Sequence, residues 1–229
     1  MFKKINIPFY QNQWFGIKFL SLNTNKYLFK RANKNFYTNF YKEFKKIYKN
    51  INSLPSSYKK EKKQLADFLY ENYCDKTILS YGSGIGVIEL QLVKSSMNIT
   101  CHDSATNANF LVKDFLDYKD TLTEKYDVIY FSYVLYSMKK SEIIDTLKSL
   151  KNHLNYNGEI IVFFNERKKV DLRSILRIIK IIFFGKGEFQ FWGYERNSNF
   201  YVSLFKNSGF ILNKEFCIAN HRCLIYTKF

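Results

Sequence analysis

Three glycines at every second position, Gly82, Gly84 and Gly86, follow a short apolar run and precede a helical pattern. Glycine has no Cβ, so the backbone turns tightly at these positions and approaches a ligand closely. The helix that follows leaves its first N–H groups free to bind a polar or anionic ligand. A strand, a glycine turn and a helix in this order favour α/β folds that bind their ligand at the carboxyl ends of the strands.

An acid, Asp103, closes the next predicted strand. A carboxylate at that place, beside the glycine turn, binds both hydroxyl groups of a ribose. The glycines follow a GxGxG spacing, whereas dinucleotide sites use GxGxxG. The turn and the acid together predict a cofactor that contains a nucleoside.

From about residue 64 the chain alternates between short apolar runs and amphipathic segments. This alternation predicts a parallel α/β sheet with right-handed crossovers. The chain ends differently, with two strand-like runs joined by a very short turn, which predicts a hairpin. The predicted strands are residues 77–81, 98–102, 127–132, 159–164, 210–218 and 221–228, and the predicted helices are residues 84–95, 141–153 and 198–208.

The positive charge is concentrated at the N-terminal end. The chain has 36 Lys+Arg against 20 Asp+Glu, a net charge of +16, and residues 1–63 hold 15 of these cations with only Glu43 and Glu61. Residues 1–63 are also aromatic, and apolar positions at helical spacing predict a helix over residues 38–51. We therefore predict a basic, aromatic N-terminal arm or lid over residues 1–63 and an α/β domain over residues 64–229.

Over residues 64–229 the sequence resembles the class I S-adenosylmethionine-dependent methyltransferases. The resemblance rests on several segments in the family's order, and it implies a Rossmann-like, mostly parallel sheet of seven strands whose last strand is antiparallel. It also implies an enzyme with S-adenosylmethionine as its cofactor. The matching segments are the glycine motif, Asp103, the pair Asp114-Phe115 in LVKDFLDY, and the stretches YDVIYFSYVLYSM, YNGEIIVFF and SLFKNSGFILNKEF.

The resemblance also implies a role for individual residues. The glycine turn would pack against the methionine part of the cofactor, Asp103 would hold the ribose, and Asp114 with the backbone of Phe115 would face the adenine. Residues 131–133 would line the place where methyl donor and acceptor meet. The residues implied in cofactor binding are Tyr81, Gly82, Ser83, Gly84, Gly86, Asp103, Ser104, Asp114, Phe115, Phe131 and Ser132.

Two features depart from the family's pattern. Ser80 stands where the family usually has an acid, and Glu89 either supplies the missing carboxylate or is a solvated helix residue. Only ten residues separate Asp103 from Asp114, where the family normally has a whole helix. Either that helix is reduced to a turn at residues 104–109, or Asp114 is assigned to the wrong place.

The sequence names few candidates for catalysis. Glu166, two residues beyond a predicted strand, is the best placed general base, and Tyr133 is expected to shape the acceptor pocket. The four cysteines show no CxxC pair or ligand spacing, so no metal site is predicted. No signal peptide is evident at the N-terminus, and we expect a cytoplasmic protein with free thiols.

An insertion over residues 167–196 precedes the last predicted helix. It contains a basic and apolar helix followed by aromatic residues, and it is either a helix packed on the domain, a lid over the acceptor or a contact with a membrane surface. Three functions compete. The first is O- or N-methylation of a small-molecule or sugar (glycan) acceptor, the second is RNA methylation with the basic arm as RNA contact, and the third is a non-catalytic binding subunit.

Overall fold

The computed structural model describes residues 4–22, 30–105, 107–113, 115, 122–170, 172–184 and 188–229. The strands are β1 (Asn6–Gln11), β2 (Gln13–Trp14), β3 (Ile17–Lys18), β4 (Ile78–Tyr81), β5 (Ile99–His102), β6 (Tyr126–Ser132), β7 (Leu154–Phe164), β8 (Gln190–Arg196), β9 (Phe210–Ile218) and β10 (His221–Lys228). The α-helices are α1 (Lys34–Ile47), α2 (Ser56–Tyr73), α3 (Val87–Lys94), α4 (Lys140–Asn152), α5 (Leu172–Phe184) and α6 (Ser198–Asn207).

The central sheet has the strand order β5-β4-β6-β7-β10-β9. Strands β5, β4, β6 and β7 are parallel, and β10 is antiparallel to both of its neighbours. The predicted α/β sheet with an antiparallel last strand is therefore confirmed, and so is the terminal hairpin of β9 and β10. Within the described residues the central sheet has six strands, against the seven expected.

Both faces of the sheet are buried. Along β6, Ile129 and Phe131 pack into the core on one side, with α4 and α6. Val128 and Tyr130 pack on the other side, with α2 and α3. Side chains alternate between the two faces of a strand, so a strand covered by helices on both sides is apolar at nearly every position.

Helix α1 forms because a cap and an apolar stripe occur together. The Asn33 side chain accepts a hydrogen bond from the Phe36 N–H at 3.0 Å, which satisfies one free donor of the first turn. Phe36, Phe40 and Phe44 recur every four residues and are buried on one side of the helix. Helix α2 starts directly after Pro55 and runs across the predicted boundary between residues 63 and 64.

The described residues among the first 63 pack against the insertion over residues 167–196. Strand β1 pairs antiparallel with β8, which comes from the insertion over residues 167–196. Trp192 of β8 stacks on Phe19, with ring centroids 4.8 Å apart. We call the surrounding group the aromatic cluster; its members include Trp14, Phe19, Phe36, Phe40, Phe44, Ile85, Val87 and Trp192.

The predicted basic helix of the insertion is present as α5. It packs on β1 through Ile181, which is buried against Tyr10. Within the described part of the chain, no helix is long and apolar enough to cross a membrane.

Candidate functional site

A cavity of about 700 Å³ lies at the carboxyl ends of the parallel strands. Its floor is formed by residues at or just beyond the carboxyl ends of β4, β5, β6 and β7, including Gly82, Asp103 and Ser132. Its roof comes from the N-terminal elements and the insertion, through Tyr41 of α1 and Trp192 of β8 among others. The open α/β sheet thus places the cavity where such folds bind their ligands.

The glycine turn has the backbone conformation that its sequence predicts. Gly82, Gly84 and Gly86 have φ values of +81°, +59° and +82°, a region that side chains with a Cβ rarely adopt. A Cβ on Gly82 would lie 2.3 Å from Val134 Cγ2, and one on Gly86 would lie 2.8 Å from Val112 Cγ2. Gly84 faces more open space, with the Tyr41 hydroxyl 3.4 Å from its Cβ position.

Asp103 is coupled directly to this turn. One carboxylate oxygen, Oδ2, accepts a hydrogen bond from the Gly84 N–H at 2.9 Å, and Oδ1 accepts one from the Ala105 N–H at 2.9 Å. Burial raises the pKa of Asp103, and these two hydrogen bonds oppose that effect. The turn and the acid that the sequence singles out therefore form one unit of the cavity wall.

Glu89 lies beside Ser80 and is buried, so it is not a solvated helix residue. Glu89 is fully buried, and its Oε1 accepts hydrogen bonds from the Ser80 hydroxyl at 2.5 Å and from the Tyr130 hydroxyl. Burial raises the pKa of Glu89. The carboxyl group thus lies next to the position where the family pattern has its acid, although it comes from a helix.

Comparison with solved structures identifies the fold. The chain is similar to mitomycin 7-O-methyltransferase MmcR, with a TM-score of 0.59, 15% identity, and coverage of 77% of this chain and 56% of that one. It is also similar to magnesium protoporphyrin IX methyltransferase (ChlM) from Synechocystis PCC 6803, solved with bound SAH, with a TM-score of 0.57, 15% identity, and coverage of 76% and 84%. A third similar structure is the glycopeptide N-methyltransferase MtfA, with a TM-score of 0.53, 11% identity, and coverage of 75% and 90%.

The chain has the class I methyltransferase fold. The chain spans just over half the length of MmcR. No protein-family model matches the sequence. None of the curated proteins matches it either.

Within this methyltransferase fold, most of the residues expected to bind the cofactor lie together. Asp114 lies outside the described residues. The expectation that Phe131 lines the cavity needs correction. Its ring is buried in the core beside α4 and α6 and does not line the cavity. The Phe115 side chain is 58% exposed and does not line the cavity, and the expected contact of its backbone with the adenine stays a prediction. The expected residues that do line it are Tyr81, Gly82, Ser83, Gly84, Asp103, Ser104 and Ser132.

Glu166 lines the cavity but is held by structural contacts. Its Oε1 accepts hydrogen bonds from the Ser198 N–H at 2.9 Å and hydroxyl at 2.8 Å, which caps α6. Its Oε2 accepts a hydrogen bond from Arg222 Nη2 at 2.6 Å. Burial raises the pKa of Glu166, but the bonds from Ser198 and Arg222 outweigh it and leave the pKa below its usual value. This environment disfavours the role of general base that the sequence predicts.

Tyr133 does line the cavity, and it belongs to a polar cluster that sequence reasoning missed. Lys62 Nζ lies 4.0 Å from the centroid of the Tyr133 ring and 3.3 Å from Glu61 Oε1. His221 Nε2 lies 3.2 Å from the same Glu61 oxygen, and His221 Nδ1 lies 2.7 Å from Asn165 Oδ1. Burial lowers the pKa of Lys62. We call Glu61, Lys62, Tyr133 and His221 the polar cluster.

The helical spacing of α2 could have predicted that Lys62 is buried. The run of residues 59–63 is highly charged and is typical of a solvated helix face. Lys62 nevertheless precedes the buried Leu65 and Ala66 by three and four residues, so all three share one side of α2.

Arg196 is a second residue that the sequence did not single out. Its guanidinium is buried and donates hydrogen bonds to the backbone oxygens of Leu135 at 2.5 Å and Met138 at 2.6 Å. Its Nε donates to Asn6 Oδ1 at 2.8 Å. Arg196 therefore ties the insertion to β1 and to the segment after β6, which together form part of the cavity wall.

Within the described residues, no group of three or more His, Cys, Asp or Glu side chains is arranged to hold a metal ion. Cys74, Cys101, Cys217 and Cys223 are free thiols.

Proposed function

We propose that the protein is an S-adenosylmethionine-dependent methyltransferase that acts on a small, planar acceptor. The observation that carries this proposal is the cavity itself. One continuous space joins the glycine turn and Asp103 to the polar cluster under an aromatic roof. A methyl donor at the glycine turn and an acceptor at the polar cluster would therefore meet within the same cavity.

The residues present fit the cofactor. Gly84 leaves room beside Tyr41 for a group close to the backbone, and Asp103 presents a buried carboxylate for the ribose hydroxyls. The Ser132 hydroxyl is buried at the cavity and has no hydrogen-bond partner in the described part of the chain. ChlM was solved with both SAH and SAM, and CalO1 with SAH. When bound, S-adenosylmethionine supplies an electrophilic methyl group.

The lining of the cavity favours a planar acceptor with an oxygen or nitrogen nucleophile. Its walls contain the rings of Trp14, Tyr58, Tyr133, Tyr136 and Trp192. Aromatic side chains stack on planar molecules, and an apolar wall excludes water from the reacting atoms. MmcR is a mitomycin 7-O-methyltransferase and ChlM is a magnesium protoporphyrin IX methyltransferase, which supports a small-molecule acceptor here.

We assign the removal of the acceptor proton to His221. Its Nδ1 donates to Asn165 Oδ1 at 2.7 Å, which fixes the tautomer and leaves Nε2 free to take a proton. Glu61 Oε1, 3.2 Å from Nε2, would stabilise the imidazolium that forms.

Buried aromatic rings disfavour the RNA alternative, although residues 1–63 are strongly basic. Stacking on single-stranded RNA needs exposed aromatic rings. Phe19, Phe36, Phe40 and Phe44 are instead buried in the aromatic cluster. The lysines of this segment alone would give only contacts without sequence preference.

Calorimetric titration with S-adenosylmethionine tests the proposal. We expect binding to the wild type and a dissociation constant at least about tenfold higher in Asp103→Ala, because a hydrogen bond to a charged group is lost. Asp75→Ala is the control: Asp75 is exposed and paired with Lys76, so its removal leaves the dissociation constant unchanged. Absence of binding to the folded wild type, or equal affinity in Asp103→Ala, contradicts the proposal.

A further inference from the structure

Helix α5 presents an apolar stripe to solvent. Its inward side is formed by Ile181, which is 6% exposed, while four large apolar residues on the opposite side remain uncovered by the described part of the chain. They follow one another at intervals of four, three and four residues, which places them on one side of a helix. These residues and their exposed fractions are Leu172 (69%), Leu176 (53%), Ile179 (43%) and Phe183 (74%).

Cations border this stripe. Arg173, Arg177 and Lys180 recur at intervals of four and three residues, so they form a parallel row on the same exposed surface. All three are exposed, and Lys168 and Lys169 lie exposed just before the helix. Between Leu172 and Phe184 there is no Asp or Glu. The surface therefore combines exposed apolar side chains with charge of a single sign.

We propose that α5 docks on an anionic phospholipid surface. Leu172, Leu176, Ile179 and Phe183 enter the boundary between headgroups and acyl chains, and Arg173, Arg177 and Lys180 lie at the level of the lipid phosphates. A helix with an apolar stripe beside a basic one binds in the plane of such an interface. Each Lys or Arg near an anionic leaflet adds to the attraction.

The charge pattern favours lipid over a second copy of the chain. An antiparallel two-fold contact through the stripe would bring the basic rows of two copies together, and in either orientation α5 offers no acid to pair with them. A layer of lipid phosphates supplies negative charge along the whole row. With 13 residues, α5 is also of a length that lies on a bilayer and does not span it.

Docking through α5 would bring the cavity close to the membrane. Arg167 lines the cavity and donates a hydrogen bond to Ser174 of α5, and it lies 3.3 Å from Glu195 at the end of β8. The stripe and the cavity wall are therefore joined by direct contacts. Membrane binding itself does not depend on the proposed methyl transfer, because none of the stripe residues lines the cavity.

Cosedimentation of the full chain with vesicles tests the apolar stripe. The vesicles contain phosphatidylglycerol and phosphatidylcholine in equal parts, with phosphatidylcholine alone for comparison. We expect binding to the anionic vesicles, and a partition coefficient lower on the order of tenfold for Leu176→Gln/Phe183→Gln. The matched control is Tyr156→Gln/Ile211→Gln, which removes two exposed apolar residues elsewhere and keeps wild-type binding.

The basic row is tested in the same assay with Arg173→Gln/Arg177→Gln, for which we again expect a decrease on the order of tenfold. The control Lys42→Gln/Lys45→Gln removes the same charge from the exposed side of α1 and changes binding little. The proposal is wrong if the wild type stays in the supernatant at low salt, or if both charge variants lose binding equally. It is also wrong if sedimentation velocity shows a dimer that Leu176→Gln/Phe183→Gln dissociates, since the stripe would then bind a second copy.

Discussion

Among single residues, His221 carries the most specific chemical assignment. Replacing it by Asn keeps a polar side chain of similar reach but removes the nitrogen that takes the proton. We expect kcat for methyl transfer to fall by about a hundredfold or more, as is usual when a general base is lost, with little change in the affinity for S-adenosylmethionine. The measurement is transfer of a tritiated methyl group from S-adenosylmethionine to the members of a panel of polycyclic phenols that the wild type methylates.

His153→Asn serves as the control for this change. His153 directly follows α4. Its ring contacts the backbone oxygen of Glu124 and does not line the cavity. It is expected to keep the wild-type kcat. If His221→Asn also keeps it, while circular dichroism shows an unchanged fold, His221 is not the base.

Glu89 makes the stability of the protein depend on pH. Burial raises its pKa, so the folded protein holds this proton at pH values where the unfolded chain has already released it. The stabilisation is complete below the unfolded pKa, near 4.5, and is lost as the pH rises through the raised pKa of the folded state. Glu89→Gln stays neutral throughout and does not lose stability in this way.

We therefore expect the wild type to become less stable relative to Glu89→Gln as the pH rises from about 4.5 toward 8. The difference between their free energies of unfolding should change steadily over this range. Urea denaturation across this range measures it. Glu71→Gln, at an exposed position of α2, is the control variant. A difference for Glu89→Gln that stays constant with pH would show that the Glu89 carboxyl group does not change protonation on unfolding.

Among the elements, those formed by local patterns were predictable. The strands β9 and β10 have the predicted bounds, because two apolar runs flank a very short turn. Gly82, Gly84 and Asp103 were found for a similar reason, since a turn that needs positive φ and an acid after a strand are visible within a few residues of sequence. The predicted helix over residues 141–153 corresponds to α4 with a shift of one residue at each end.

Elements that depend on distant partners were not predictable. Strand β1 pairs with β8, and Asn6 opposes Arg196, so the partner lies 190 positions away. Phe131 was misplaced because periodicity shows that a strand alternates but not which of two buried faces adjoins a cavity. Lys62 was missed because a charged run masked its position on the buried side of α2.

Across the whole molecule, the aromatic cluster decides whether the first 63 residues and the sheet form one cooperative unit. The cluster joins α1 to Ile85 and Val87 beside the glycine turn, and to Trp192 of the insertion. Apolar contacts of this kind couple the folding of the elements that share them. The chain has two tryptophans, Trp14 and Trp192, whose rings lie 5.6 Å apart within the cluster. Tryptophan fluorescence therefore reports on the cluster, while circular dichroism reports on all helices and strands.

We expect the two signals to give the same midpoint in urea, because opening the cluster exposes the core beside the glycine turn and removes the roof of the cavity. Phe36→Ala should lower both midpoints together, by a loss of about 3 to 5 kcal/mol for a buried phenylalanine. Tyr156→Ala, at a side chain that is 93% exposed, should leave both nearly unchanged. A fluorescence midpoint clearly below that of circular dichroism would mean that the N-terminal segment unfolds first. It would then act as a separable lid over an independently stable methyltransferase fold, as the sequence alone predicts.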